Sequence, residues 1–232
     1  MRLKWPDGTL MARLNEGTQR DLLMLAEPRE CPTGTVLIRQ GVPRTDVHLL
    51  RSRQVESSVC VKVTATARNG DESLLGIRVS GDVVGELAAL RDGNRTATVT
   101  VCAPSIVHAI PHRDFIEFLN SHVDAWEALC RMIADRLDWA NRRRLDFAGY
   151  DVPCRVARVL LELADRHGRP VLDGHELGVR LSQEEIGKLI GAKVDIVGLA
   201  MRQLRTQGLV TSSYRRVMIN NMDGLRAFAD RC

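Results

Sequence analysis

Between Gly85 and Ala97 the chain reads Gly-Glu-Leu-Ala-Ala-Leu-Arg-Asp-Gly-Asn-Arg-Thr-Ala, which sets one carboxylate, one guanidinium and one hydroxyl around turns that glycine permits. Glu86 can accept a hydrogen bond from a ribose hydroxyl, and the planar fork of Arg95 can take a singly charged phosphodiester bidentately. Gly85 lets the backbone approach a ligand closely. If the amides from Gly85 through Leu87 and Ala88 form a short helical turn, they add donors for phosphate. Thr96 places a hydroxyl beside the phosphate arginine, within reach of the 2-amino group of a guanine folded over its ribose. The set suits a cyclic nucleotide. A barrel corner that keeps its glycines and an internal Glu–Arg pair, and binds nothing, is the other reading.

A second constellation lies toward the C-terminus. Leu181-Ser182-Gln183-Glu184-Glu185-Ile186 combines a capping box, Ser182 with Glu185, and a hydrophobic staple, Leu181 with Ile186. That order predicts a helix from Ser182 through Ile186, Leu189 and Ile190 to a turn at Gly191-Ala192-Lys193. A second helix should follow with Val194, Val197, Met201 and Leu204 on its inner face. Alternation from Val210 to Ile219 around Ser213-Tyr214-Arg215 predicts a two-stranded wing. With Lys188, Lys193, Arg202, Arg205, Arg215 and Arg216 on this unit, a helix-turn-helix that binds double-stranded DNA outweighs a mere interaction module. The candidate DNA contacts are Ser182, Gln183, Lys193, Val194, Asp195, Arg202, Arg205 and Arg215. Asp195 can accept from cytosine N4, Val194 can touch a thymine methyl, and Lys193 and Arg202 can meet guanine or phosphate.

The elements that must position these residues follow from the pattern. Residues 1–15 carry the turn Trp5-Pro6-Asp7-Gly8 without periodicity and read as a loose arm, and Glu16 to Ala26 reads as a short helix. From Thr35 to Ile110 short β-rich runs alternate with corners at Gly41, Gly70, Gly81 and Gly93, which predicts an antiparallel sandwich or barrel. From Arg113 to Ala148 a single helix is expected. Its heptad seam carries Trp126, Ile133, Ala140 and Phe147 at one position and Cys130, Leu137 and Arg144 at the other. A helix of about 35 residues outruns a small domain. The seam therefore predicts a homodimer. Pro153 then breaks the helix and Asp151 can cap the next one. That helix, with Val156, Val159, Leu160 and Leu163 on one face, should close on a glycine cap at Gly168 before a turn-rich loop over residues 168–174.

Composition sets the outer limits. A chain of 232 residues with 44% hydrophobic and 27% charged residues has room for two ordinary domains, and a net charge of +4 permits a polyanionic partner without requiring one. Six cysteines, Cys31, Cys60, Cys102, Cys130, Cys154 and Cys232, show no C-x-x-C spacing and read as reduced thiols of a cytoplasmic protein. Residues 1–30 hold no cysteine, which argues against an N-terminal iron–sulfur cluster. No long apolar run suggests a membrane partner. His48, His108, His112, His122, His167 and His175 lack metal-ligand spacing, and no G-x-S-x-G, H-E-x-x-H or P-loop is present, so neither an enzyme nor a metal or haem site is expected.

The 85–97 segment resembles the phosphate-binding cassette of cyclic-nucleotide-binding domains, and with the helix-turn-helix the chain resembles the cyclic-AMP receptor protein/fumarate-nitrate regulator (Crp/Fnr) family from about residue 20 to 225. The resemblance implies an α+β chain. It would comprise a cyclic-nucleotide-binding β-roll (a double-stranded β-helix or jelly roll) over residues 1–112, a long dimerisation helix and hinge over 113–150, and a winged helix-turn-helix over 151–232. It implies that Glu86 holds the ribose, Arg95 the phosphate and Thr96 the phosphate or base, assisted by the amides of Gly85 and Leu87. Arg136 would anchor Glu86. Positions that often clamp adenine fall at Ala140, which cannot hydrogen-bond a base, and Asn141, which can. The recognition helix departs from the common pattern, with Lys193, Val194, Asp195 and Leu199 where guanine-reading arginines are usual. Arg53 stands where a turn glycine is usual. A cAMP or cGMP effector, a palindromic operator and contact with RNA polymerase through the 168–174 loop are implied. A ligand-independent relative with a vestigial pocket is the alternative.

Overall fold

Thr9 caps a one-turn helix, α1 (Leu10–Arg13), its hydroxyl accepting the Ala12 amide, and Asn15 caps α2 (Glu16–Met24) by accepting from Gly17 and Thr18. The computed structural model describes residues 5–43, 45–53 and 59–231; Cys232 and the first four residues of the expected arm lie outside them. From Trp5 onward that arm is not loose. Trp5, Leu10 and Met11 are buried and Trp5 Nε1 donates to Gln19, because apolar bulk seats a segment that periodicity alone did not reveal.

The β-rich region forms β1 (Pro28–Cys31), β2 (Val36–Ile38), β3 (Asp46–Ser52), β4 (Val59–Thr66), β5 (Glu72–Val79) and β6 (Val83–Val84). After the single-turn α3 (Glu86–Leu90) come β7 (Thr98–Val101) and β8 (Ser105–Pro111). Two four-stranded sheets result, in the orders β1-β8-β3-β6 and β2-β7-β4-β5, with antiparallel pairing throughout. Leu50, Val61, Val63, Val84, Val99 and Val107 pack in a shared core. This is the expected roll.

The single helix expected after it is two, α4 (His112–Ser121) and α5 (Val123–Gly149). His122 between them is extended, at φ −132° and ψ 99°. Its ring bonds the Phe118 carbonyl through Nδ1 and Asp21 through Nε2, so side-chain partners rather than a proline or glycine make the break. One face of α5, with Ala125, Ala128, Leu129 and Met132, is buried with Phe115, Phe118 and Leu119 of α4. The chain divides into two compact units within α5, between Asp138 and Trp139.

In the second unit Asp151 caps α6 (Val152–His167) by accepting the Cys154 amide. Gly168 ends α6 without a left-handed turn. Its Cβ would stand 2.4 Å from the Ala164 carbonyl and 2.7 Å from that of Glu176, so close backbone approach is what demands glycine. The 168–174 loop is in fact a hairpin of β9 (Arg169–Val171) and β10 (Gly174–Glu176). Then follow α7 (Gln183–Ile190), α8 (Val194–Thr206), β11 (Val210–Ser213), β12 (Arg216–Ile219) and an α9 (Met222–Asp230) that sequence reasoning missed. The sheet order is β11-β12-β10-β9.

Cys31, Cys60, Cys102 and Cys130 form no disulfide, but Cys154 is disulfide-bonded, which corrects the expectation of reduced cysteines throughout. Burial pushes the Cys60 thiol up to about 12, so it is a packing group rather than a nucleophile.

His48 on β3 is buried, and its Nδ1 lacks a hydrogen-bond partner among the described residues. Burial holds its pKa down to about 4, against an opposing pull from Asp46. The neutral ring is therefore the folded form, and protonation favours unfolding as pH falls from the ordinary histidine value toward 4. Urea unfolding at pH 7 and pH 4.5 should show a loss of about 2–3 kcal/mol from this group. A His48→Gln variant should lose correspondingly less; the same pH dependence in both proteins would assign it elsewhere.

Candidate functional site

Gly85 precedes α3 with φ 89°, a left-handed conformation. A Cβ there would stand 2.4 Å from Arg95 Nη1 and 3.1 Å from the Asp46 carbonyl oxygen. The missing side chain is the room in which the guanidinium lies. Arg95, 5% exposed, donates Nη1 to the Gly85 carbonyl at 3.0 Å and Nη2 to the Asp46 carbonyl. Burial pulls its pKa down, with Asp46 and Glu86 opposing. Neutral carbonyls hold the group, so its charge stays available to an anion, and a guanidinium remains protonated in proteins.

Glu86, 4% exposed, accepts from Arg136 Nη1 at 2.8 Å, while Arg136 Nη2 donates to Asp82 at 3.2 Å and to the Val83 carbonyl at 3.1 Å. Arg136 thus aims the buried carboxylate, whose oxygens retain capacity to accept further bonds. Gly85, Glu86, Leu87, Ala88, Arg95, Thr96 and Arg136 line one cavity. Its floor takes one apolar side chain from each strand of a sheet: Ile38 of β2, Val99 of β7, Val63 of β4 and Leu75 of β5. The sequence-derived set converges there except for Asn141, which is exposed on the part of α5 belonging to the second compact unit. Arg78 of β5 lines the cavity too and was missed. It hides in the apolar run Leu74 to Val79, where strand periodicity offers no cue. Arg53 lies on the surface, paired with Glu30 at 2.8 Å.

In the second unit the Ser182 hydroxyl accepts the Glu185 amide and the Glu185 carboxylate accepts the Ser182 amide, completing the capping box. Gly191 at φ 63° turns the chain toward α8. A Cβ on Gly187 would stand 2.4 Å from the Ala192 carbonyl, so a second glycine, overlooked in the motif, sets the closeness of the turn. Val197, Ala200, Met201 and Leu204 face inward on α8. Val194 does not, which corrects its expected inner position; with Asp195, Ile196, Leu199 and Arg202 it makes the exposed face. Lys193, at the start of α8, is also exposed. A groove between α7 and the wing is lined by Ser182, Gln183, Ser213, Tyr214 and Arg215. Arg205 reaches Ser212 of the wing at 3.4 Å, and Lys188 pairs with Glu184 at 2.9 Å.

Two family models match the chain: a cyclic nucleotide-binding domain over residues 28–122 and a Crp-like helix-turn-helix domain over residues 154–228. The chain belongs to the Crp/Fnr family of transcription regulators. A family member from Mycobacterium tuberculosis named as a CRP-like cAMP-activated global transcriptional regulator is 29% identical over 201 residues, 86% of each chain. Among solved Crp/Fnr folds, a CooA variant from Carboxydothermus hydrogenoformans superposes with a TM-score of 0.76 at 18% identity over 98% of both chains. FixK2 from Bradyrhizobium japonicum gives 0.73 at 20% identity over 89% of this chain and 98% of that one. These two establish likeness of fold.

Replacing Gly85 with Ala forces a methyl group against Arg95 and strains a left-handed backbone. The variant should lose about 1–3 kcal/mol in chemical denaturation, and wild-type stability would show that the cassette rearranges freely.

Proposed function

We propose that the chain is a cytoplasmic homodimeric regulator whose affinity for a palindromic operator is set by a cyclic nucleotide, cAMP or cGMP, in the β-roll. The observation that carries this reading is the pairing, in one cavity, of a buried guanidinium that donates to two carbonyls with a buried carboxylate held by Arg136. Phosphate goes to Arg95, the ribose hydroxyl to Glu86, and Leu87, Ala88 and Thr96 complete the phosphate side. The functional division is 1–112, 113–150 and 151–232.

The stripe on α5 supports dimerisation. Leu137 is 60% exposed and Phe147 46% exposed, with Cys130 and Ala140 also exposed, which leaves a largely apolar row, interrupted by the exposed Arg144, to pair with a second copy. Ligand binding favours one pairing of the two helices. That choice sets two recognition helices about 34 Å apart, the distance between successive major grooves. The ligand must bind the two arrangements unequally to do so. Lys193, Val194, Asp195 and Arg202 read the groove, Arg205 and Arg215 with Ser182 and Gln183 hold the backbone, and the exposed hairpin around Leu172 meets RNA polymerase.

The second reading is a vestigial pocket, in which these same bonds from Arg136 to Glu86 and from Arg95 to carbonyls only hold the fold. Calorimetry with both nucleotides separates the two, as does operator binding with and without saturating ligand. Heat and a ligand-dependent gain of about tenfold or more in DNA affinity support the switch; silent titrations and unchanged affinity overturn it. Leu137→Glu should turn the dimer into a monomer in analytical ultracentrifugation and weaken operator binding. In Asp195→Ala, preference at one or more operator positions should relax by about 1–3 kcal/mol across single-base variants; an unchanged profile removes Asp195 from base reading.

A further inference from the structure

Among the described residues three guanidiniums line the cavity of the first unit, and the reading above employs two of them. Arg136 secures Glu86 and Arg95 takes phosphate. The third, Arg78, sits on β5, the edge strand of the sheet that floors the cavity. Arg95 leads into β7, and β4 separates β7 from β5, so the strands carrying the two cations are two spacings apart, roughly 10 Å. A mononucleotide reaches about that far from its phosphate to the outer edge of its base. Arg78 Nη1 donates to the Ile77 carbonyl at 2.9 Å and lies 2.6 Å from where a Cβ on Gly76 would stand. The guanidinium therefore lies back across Gly76, in space that any side chain there would take, with Leu75 and Val63 of the same wall also facing the cavity.

We infer that Arg78 reads the base and selects guanine. Guanine presents two acceptors, O6 and N7, side by side, which match the arginine fork; adenine presents N7 beside an amino group, whose hydrogens oppose the arginine donors. The 2-amino group lies on the other side of the purine from that edge, where the Thr96 hydroxyl stands beside Arg95 to accept from it. Apolar Leu75 and Val63 offer contact to the base face. The effector is then a guanine-bearing cyclic nucleotide. This inference rests on the cyclic-nucleotide reading of the same pocket and narrows it.

The test is calorimetry on the full chain with cGMP, cyclic di-GMP and cAMP, for the wild type, Arg78→Lys and Arg78→Gln. One guanine ligand should bind about tenfold or more tighter than cAMP, and the two guanine ligands show which form the cavity takes. Arg78→Lys keeps the charge and loses the fork, so it should cut the preference to about threefold or less while cAMP affinity stays in place. Arg78→Gln should do the same, and unchanged thermal melting shows that neither variant acts through folding. Equal or tighter binding of cAMP by the wild type overturns the guanine assignment alone. A preference that survives in Arg78→Lys, or a matching loss for all three ligands, also overturns it, since Arg78 would then supply only charge. If the wild type binds none of the three, the nucleotide reading itself falls.

Discussion

The cassette depends on one arrangement: a buried arginine held by two backbone carbonyls. Arg95 gives its donors to Gly85 and Asp46, groups whose positions are set by the turn before α3 and by the start of β3. A carboxylate partner would have cancelled the charge; carbonyls position it without neutralising it. This places strict demands on the surrounding chain. Position 85 must lack a side chain, and the strands on either side must hold the two carbonyls at a fixed separation. Glu86 then needs its own cation, and Arg136 on α5 supplies it, which ties the long helix to the roll at the same point.

Much of this was legible in the residues. Gly85, Glu86, Arg95 and Thr96 sit within a dozen positions, so local spacing carries their meaning, and the capping box at Ser182 is likewise a short-range signal. Arg136 came only from resemblance, since fifty residues separate it from Glu86 and no local rule joins them. Arg78 was missed because it stands in a strand whose neighbours are apolar, and only the pairing of β5 with β4 brings it to the cavity. The break at His122 was invisible for a related reason. It arises from contacts with Phe118 and Asp21 rather than from any helix-breaking residue type.

The two units differ in how their geometry is secured. In the first, polar side chains are held by one another, the half-buried Arg136 joining the buried Asp82 and Glu86, while the buried Arg95 beside them is held by backbone carbonyls. Such a set is costly to disturb, because a broken pair leaves a charge without a partner in a poorly solvated place. In the second, apolar packing of α6, α7 and α8 carries the helices, and the polar residues of α8 are left on its outer face. Selectivity for a small molecule needs the first kind of order, and a surface that reads a groove needs the second.

The turn between α7 and α8 shows how unevenly such a surface can change over time. Val194, Asp195, Leu199 and Arg202 are exposed on α8, so exchanging them changes its outer face and leaves its tilt untouched. Gly187 lies a helix away from that face, yet even one added methyl would collide with the Ala192 carbonyl and displace α8. Change in this surface therefore has an open route through the outward residues and a closed one through a glycine packed beneath the turn.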